Sequence, residues 1–203
     1  MKRTIYMYKG FERIWHWLQA ALIILLLLTG FEIHGSYELF GYQGAYVVHI
    51  QAAWILLGLL VLALFWHITT GEWRQYKPTL KNLDKMVRCY MVGIFLDEPR
   101  PYTKTPETKL NPLQKLSYLG VLLFILPILI ISGLACYFYN DLQAWGLSVG
   151  FGSLAILHTI GAFLMLIFLV VHVYMTTTGH TPLAYTIAMI TGREEVPDDN
   201  RVC

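Results

Sequence analysis

Two histidines in one uncharged apolar run constrain this chain most. His158 and His172 stand near the ends of HTIGAFLMLIFLVVHVYM, with no formal charge between them. Fourteen residues of α-helix rise about 21 Å and complete almost four turns, so both imidazoles leave the same face. A bilayer's hydrocarbon core is ~30 Å thick, so one histidine lies toward each side of it. Polar groups at such depths are costly without partners. Two imidazoles on one inward-facing stripe are what a helix offers to two stacked haems, and the opposing ligands must come from other helices.

The remaining sequence supplies those helices. Of 203 residues, 56% are hydrophobic and 14% charged, which separates the chain from ordinary soluble domains. Hydropathy marks four spans, at about residues 14–33, 46–69, 116–139 and 152–175. The first apolar run is too long for a cleavable signal peptide and lacks a small-residue cleavage site, so it reads as a span. All 15 Lys and Arg fall within residues 1–13, 72–115 and 193–201. The links after the first and third spans carry Glu38 and Asp141 but no Lys or Arg. The positive-inside rule then places both termini and the middle link in the cytoplasm. The expected fold is all-α: one domain over residues 1–203, built as a four-transmembrane-helix bundle.

The middle link carries a further element. In residues 79–96, Leu80, Leu83, Met86, Val87, Tyr90, Met91, Ile94 and Phe95 recur at helical spacing, opposite Lys81, Asp84, Lys85 and Arg88. That pattern predicts an amphipathic helix on the inner membrane surface, in contact with lipid. Pro99, Pro101 and Pro106 mark an irregular return to the third span, which Pro127 should bend. The second and fourth spans resemble one another, and LTGFEIHG after the first span echoes ISGLACYF after the third.

Topology sorts the histidines by depth. His16 and His172 lie at inner ends of spans, while His49 and His158 open spans that enter from outside. Two bis-histidine haems use all four, and such ligation suits electron transfer because the iron keeps no open position. His67 lies five turns after His49 on the same face, so it competes with His16 as the partner of His172. It is also placed to touch a quinone or a haem propionate. Arg13, one turn before His16, suits a propionate and equally suits a positive-inside anchor. Cys89, Cys136 and Cys203 include no C-x-x-C-H and no iron–sulfur cluster pattern. A haem-free quinone-binding anchor and a histidine-lined transporter remain as alternatives. The transporter lacks any Asp, Glu, Lys or Arg in the interior of a span.

Arg13-x-x-His16-Trp17 at the first span, His49 opening the second, and His158 with His172 in the fourth resemble the di-haem cytochrome b membrane subunits of formate dehydrogenases, NiFe hydrogenases and thiosulfate reductases. Asn111-x-x-Gln114-Lys115 is similar to that family's N-x-x-Q-K. The resemblance covers about residues 8–180. It implies two haem b groups, with His16 and His172 on the cytoplasmic-side iron and His49 and His158 on the outer one; His67 falls outside this ligand pattern. It implies a menaquinone or ubiquinone site near His172 and Asn111. Asn111 followed by Pro112 also reads as a helix N-cap. The implied setting is a bacterial or archaeal cytoplasmic membrane, in a quinone-linked oxidoreductase complex. An extracytoplasmic iron–sulfur or multihaem cytochrome c subunit would be the partner, and no nucleic acid is expected. No catalytic site for the terminal substrate is expected on this chain.

Overall fold

A computed structural model describes residues 2–96, 98, 101–102, 105–106 and 108–197; Pro99 and Cys203 lie outside them. Strand β1 (Lys2–Tyr6) precedes the first long helix, α1 (Gly10–Ile33), and α2 (Gly41–Thr70) follows. A surface helix, α3 (Leu83–Met91), lies in the middle link. The third span, Pro112–Tyr137, joins α4 (Pro112–Gly120), a π-helical segment (Val121–Ile125) and α5 (Leu126–Tyr137). A short α6 (Tyr139–Ala144) leads to the fourth, α7 (Phe151–Thr176), then α8 (Ala184–Thr191) and β2 (Arg193–Pro197).

Four helices of 24 to 30 residues are long and apolar enough to cross a membrane. At 1.5 Å per residue they are about 36–45 Å long, more than the ~30 Å hydrocarbon core requires. Local chemistry sets their ends. The Lys9 N–H donates to Glu12 Oε2 at 2.7 Å, closing the first turn of α1. Asn111 Oδ1 accepts from the Gln114 N–H at 2.8 Å, and the Asn111 N–H donates to Gln114 Oε1 at 3.0 Å. That reciprocal cap, with Pro112 in the first turn, starts α4. Gly71, at φ 76°, ends α2 in the left-handed region that glycine enters without a Cβ clash.

The bundle is two hairpins. Helix α1 packs chiefly on α2, and α5 on α7, with fewer approaches between the pairs. Ala45, Ala52 and Ala63 are buried along α2, and a Cβ on Gly161 of α7 would meet Ile128 and Leu129 at 3.0 Å. Small residues at these points let membrane helices approach closely. Residues such as Val61, Phe65, Ile131 and Val170 turn outward, where lipid is the solvent. The expected disturbance at Pro127 takes the form of the π segment directly before it. Proline lacks an N–H and crowds the carbonyl four residues back, and a widened turn relieves both.

The first and last described segments meet at one end, which we call inner. There β1 and β2 pair antiparallel, from Lys2 opposite Pro197 to Tyr6 opposite Arg193, a pairing the hydropathy pattern did not announce. Helix α3, shorter than the expected 79–96, buries Met86 and Cys89 and exposes Met91; Leu80 before it and Phe95 after it are also exposed. A four-membered ion network fastens the inner end. The Lys109 side chain is 6% exposed, and its Nζ lies 2.7 Å from Glu12 Oε1 and 3.3 Å from Glu72 Oε2; Lys9 Nζ lies 2.5 Å from Glu72 Oε1. Burial pushes the Glu72 carboxyl up, but Lys9 and Lys109 outweigh it and hold the group below its ordinary value.

Candidate functional site

At the outer end, α2 contributes His49 and α7 contributes His158, their ring centroids 6.2 Å apart and planes crossed at 73°. Each ring rests on a glycine of the adjacent helix in its own hairpin. A Cβ on Gly30 would stand 3.3 Å from His49 Cε1, and one on Gly133 would stand 3.0 Å from His158 Cε1. The residue before each glycine carries a buried hydroxyl. Thr29 Oγ1 is 2.9 Å from His49 Nδ1, and Ser132 Oγ is 3.0 Å from His158 Nδ1. Thr29 also donates to the Leu25 carbonyl at 2.8 Å, and Ser132 to the Ile128 carbonyl. A hydroxyl has one proton. With that proton committed to the carbonyl one turn back, the oxygen accepts from Nδ1–H, and each Nε2 keeps its lone pair for a ligand bond.

At the inner end, His16 of α1 and His172 of α7 lie 6.1 Å apart by centroid, with planes at 47°. His172 stacks on Phe168 at 5.7 Å and 21°, and Tyr118 of α4 stands 6.4 Å away. His16 Nδ1 is buried and has no hydrogen-bond partner among the described residues. His67 points elsewhere. Its Nδ1 is 2.7 Å from the Ala63 carbonyl, and its Nε2 is 3.3 Å from the Tyr76 hydroxyl. Its ring sits among Trp15, Trp66 and Tyr76. Burial raises the Tyr76 phenol well above its ordinary pKa, so Tyr76 remains a donor. Both nitrogens of His67 are therefore engaged.

The histidine pairs can be tested against a haem by geometry. Two metal–imidazole bonds of about 2 Å, plus about 1 Å from each nitrogen to its ring centre, predict centroids roughly 6 Å apart. Both pairs meet that figure. Among the described residues no group of three or more His, Cys, Asp or Glu could hold a metal ion. Two opposed imidazoles alone leave a metal's coordination shell incomplete. The two pairs would suit a haem iron, and the two glycine-backed rings leave room for such a group.

Arg13 and Asn111 have other partners. Arg13 NH1 donates to the Ile190 carbonyl at 2.7 Å, and Trp17 Nε1 to the Met189 carbonyl at 3.2 Å. Together they cap the last carbonyls of α8, while Arg13 Nε is buried without a partner among the described residues. Asn111 uses its amide oxygen for the α4 cap, and its Nδ2 donates to the Tyr90 hydroxyl at 2.8 Å. His34 Nε2 lies 2.9 Å from Thr159 Oγ1, joining α1 to α7 at the outer end. His180 approaches Glu195 at 3.8 Å.

Sequence reasoning missed Thr29, Ser132, Tyr76 and Lys109. The first two carried a signal: they precede the paired glycines in the repeated LTG and ISG segments. Tyr76 and Lys109 carried none, because their roles depend on how the middle link folds back.

The family model described as prokaryotic cytochrome b561 matches residues 7–192. A protein of Escherichia coli (strain K12) named as cytochrome YdhU is 30% identical over 205 residues, covering 93% of this chain and 74% of its own. A protein of Rhizobium leguminosarum bv. viciae named as a Ni/Fe-hydrogenase B-type cytochrome subunit is 27% identical over 202 residues, covering 86% of this chain and 81% of its own. No solved structure matches the chain.

Proposed function

This chain belongs to the prokaryotic cytochrome b561 family, and from that premise we propose that it holds two haem b groups and passes electrons between an extracytoplasmic partner subunit and membrane quinone. It is a multi-pass membrane b-type cytochrome of electron transport. The observation that carries the finer reading is the pair of ~6 Å imidazole gaps at the two ends of α7. His16 and His172 would hold the inner iron, and His49 and His158 the outer. Haem b supplies one-electron redox chemistry when bound. The protein orients the imidazoles, keeps water from the span interiors and fixes the distance between the sites.

The orientation follows from charge. With the Lys/Arg-rich segments at the inner end, that end and both termini face the cytoplasm, as a single domain in the cytoplasmic membrane. The exposed apolar residues of α3, with Lys81 and Lys85 beside them, rest on the inner lipid surface. A quinone site at the inner end is supported by the aromatic cluster of Tyr76, Tyr118 and Phe168 next to His172. Tyr76 and Tyr118 each bring a phenol to that cluster, and the Tyr76 phenol also meets His67. Asn111 gives one amide proton to Tyr90 and keeps a second that would reach a quinone carbonyl, beside its part in anchoring the third span. The Rhizobium relative is named for a Ni/Fe-hydrogenase. We extend that association to a redox subunit, iron–sulfur or multihaem cytochrome c, docked at the outer end. Exposed Tyr37, Leu39, Phe40, Trp145 and Leu147 give it an apolar surface there.

The test is a dithionite-reduced minus oxidised spectrum of the full chain, made with ample haem, with haem counted per polypeptide as pyridine haemochrome. Two b haems are expected; a colourless protein overturns the reading and leaves a quinone-binding anchor. His16→Ala should reduce the count to one, while His67→Gln should leave two. The reverse result would transfer the inner ligand to His67.

A further inference from the structure

The two hydroxyls beside the outer histidines do more than fill space. Thr29 and Ser132 are both fully buried. They lie on different helices, in different hairpins, yet each sits directly before a glycine and faces the Nδ1 of a histidine from the facing helix. Each has its own proton engaged by the carbonyl four residues earlier. A hydroxyl so fixed cannot turn to donate, which leaves acceptance from Nδ1–H as its remaining role. In a low-dielectric span the competing tautomer would set two acceptors against each other, which is costly. At the inner end, neither His16 nor His172 has any such partner among the described residues, and His16 Nδ1 is buried without one.

We propose that Thr29 and Ser132 are positioning residues that fix His49 and His158 in the Nε2-ligating tautomer and make the outer site the lower-potential of the two. This rests on the reading that these histidines are axial ligands. An imidazole that donates its distal N–H to an oxygen is a more electron-rich ligand. Such a ligand favours the oxidised metal, so the couple moves to lower potential. The outer site has two such ligands and the inner site none. With haem held by both pairs, the downhill direction for one electron would run from the His49–His158 site to the His16–His172 site. The chemistry favours a low-potential electron donor at the outer end and an acceptor at the inner end.

The experiment is an optical redox titration of the purified full chain, with ferric EPR of the same samples. Two haems per polypeptide and loss of one transition in His49→Ala establish the ligand reading; fewer haems, or retention of both transitions, overturns that reading and this inference with it, while loss of the higher-potential transition overturns the inference alone. Given those controls, Thr29→Val and Ser132→Ala should each shift the lower-potential transition upward and alter its EPR signal, leaving the other in place. Thr29→Ser should restore the wild-type value. If Thr29→Val fails to load the outer haem, Ser132→Ala reads the same site after removal of a single oxygen. Unchanged potentials in Ser132→Ala with both haems bound, or a shift confined to the higher transition, would overturn the inference while leaving the ligands intact.

Discussion

The glycines beneath the outer histidines allow a graded steric test. A methyl group on Gly133 would stand 3.0 Å from His158 Cε1 and 3.3 Å from its Nδ1, both closer than ordinary van der Waals contact. The ring cannot simply slide away, because its Nδ1 is held by Ser132 one residue earlier. Gly133→Ala therefore forces the ring, the hydroxyl or α5 itself to shift by several tenths of an ångström. Overpacking of this kind costs roughly 1–3 kcal/mol. If His158 holds haem as proposed, that cost corresponds to roughly 5- to 150-fold weaker haem retention at the outer site. Gly30→Ala meets His49 Cε1 at 3.3 Å and should have a smaller effect. Gly58→Ala meets nothing within 4 Å and gains helix propensity, so it should be neutral or slightly stabilising. The assay is haem per polypeptide after dilution into haem-free detergent, together with the thermal midpoint. The expected order of haem loss is Gly133→Ala, then Gly30→Ala, then Gly58→Ala at the wild-type level. Equal retention in all three would refute the steric argument.

Other perturbations act at the inner end. Lys109→Met leaves Glu12 and Glu72 mostly buried without their shared cation, and should cost about 2–4 kcal/mol, less than a fully buried pair because Lys9 still reaches Glu72. Thermal melts in detergent read this, and a loss below about 0.5 kcal/mol would show that water enters the network. The Glu72 carboxyl is held below its ordinary value of 4.5 in the fold. Its contribution is therefore full above that value and lost as pH falls through the lower folded value. Wild-type melts should show this acid-side decline, and Lys109→Met should flatten it. Asn111→Ala removes both the α4 cap and the bond to Tyr90, and should cost about 1–2 kcal/mol. Asn111→Asp keeps the cap acceptor and should recover most of that loss in the same melts.

The four spans and the depths of the histidines were legible because both are written in a one-dimensional code. Twenty apolar residues and a helical repeat need no knowledge of neighbours. Which of His16 and His67 stands beside His172 could not be read that way. Both lie at the right depth, and what separates them is Tyr76, which reaches His67 only because the chain after Gly71 folds back as a 3-10 turn. Lys109 looked like one more inner-side positive charge. Its burial between Glu12 and Glu72 depends on the return path of the middle link. The Thr29 and Ser132 contacts required the rotation of each helix about its axis, which hydropathy leaves free on a span that is apolar all round. Strand pairing of the two ends rests on contacts across nearly the whole chain, beyond the reach of local pattern.

The π segment at Val121–Ile125 changes how the two hairpins compare. From Thr29 back to His16 is thirteen residues, and from Ser132 back to Tyr118 is fourteen. One residue absorbed in the widened turn restores the phase, so Tyr118 occupies on the third span the azimuth His16 occupies on the first. Both rings face His172, at 6.4 Å and 6.1 Å. A repeated helical plan is thus left matched at its outer end and mismatched at its inner end: a phenol stands where a second imidazole would have fallen. A molecule built from two similar hairpins thereby acquires a head and a tail.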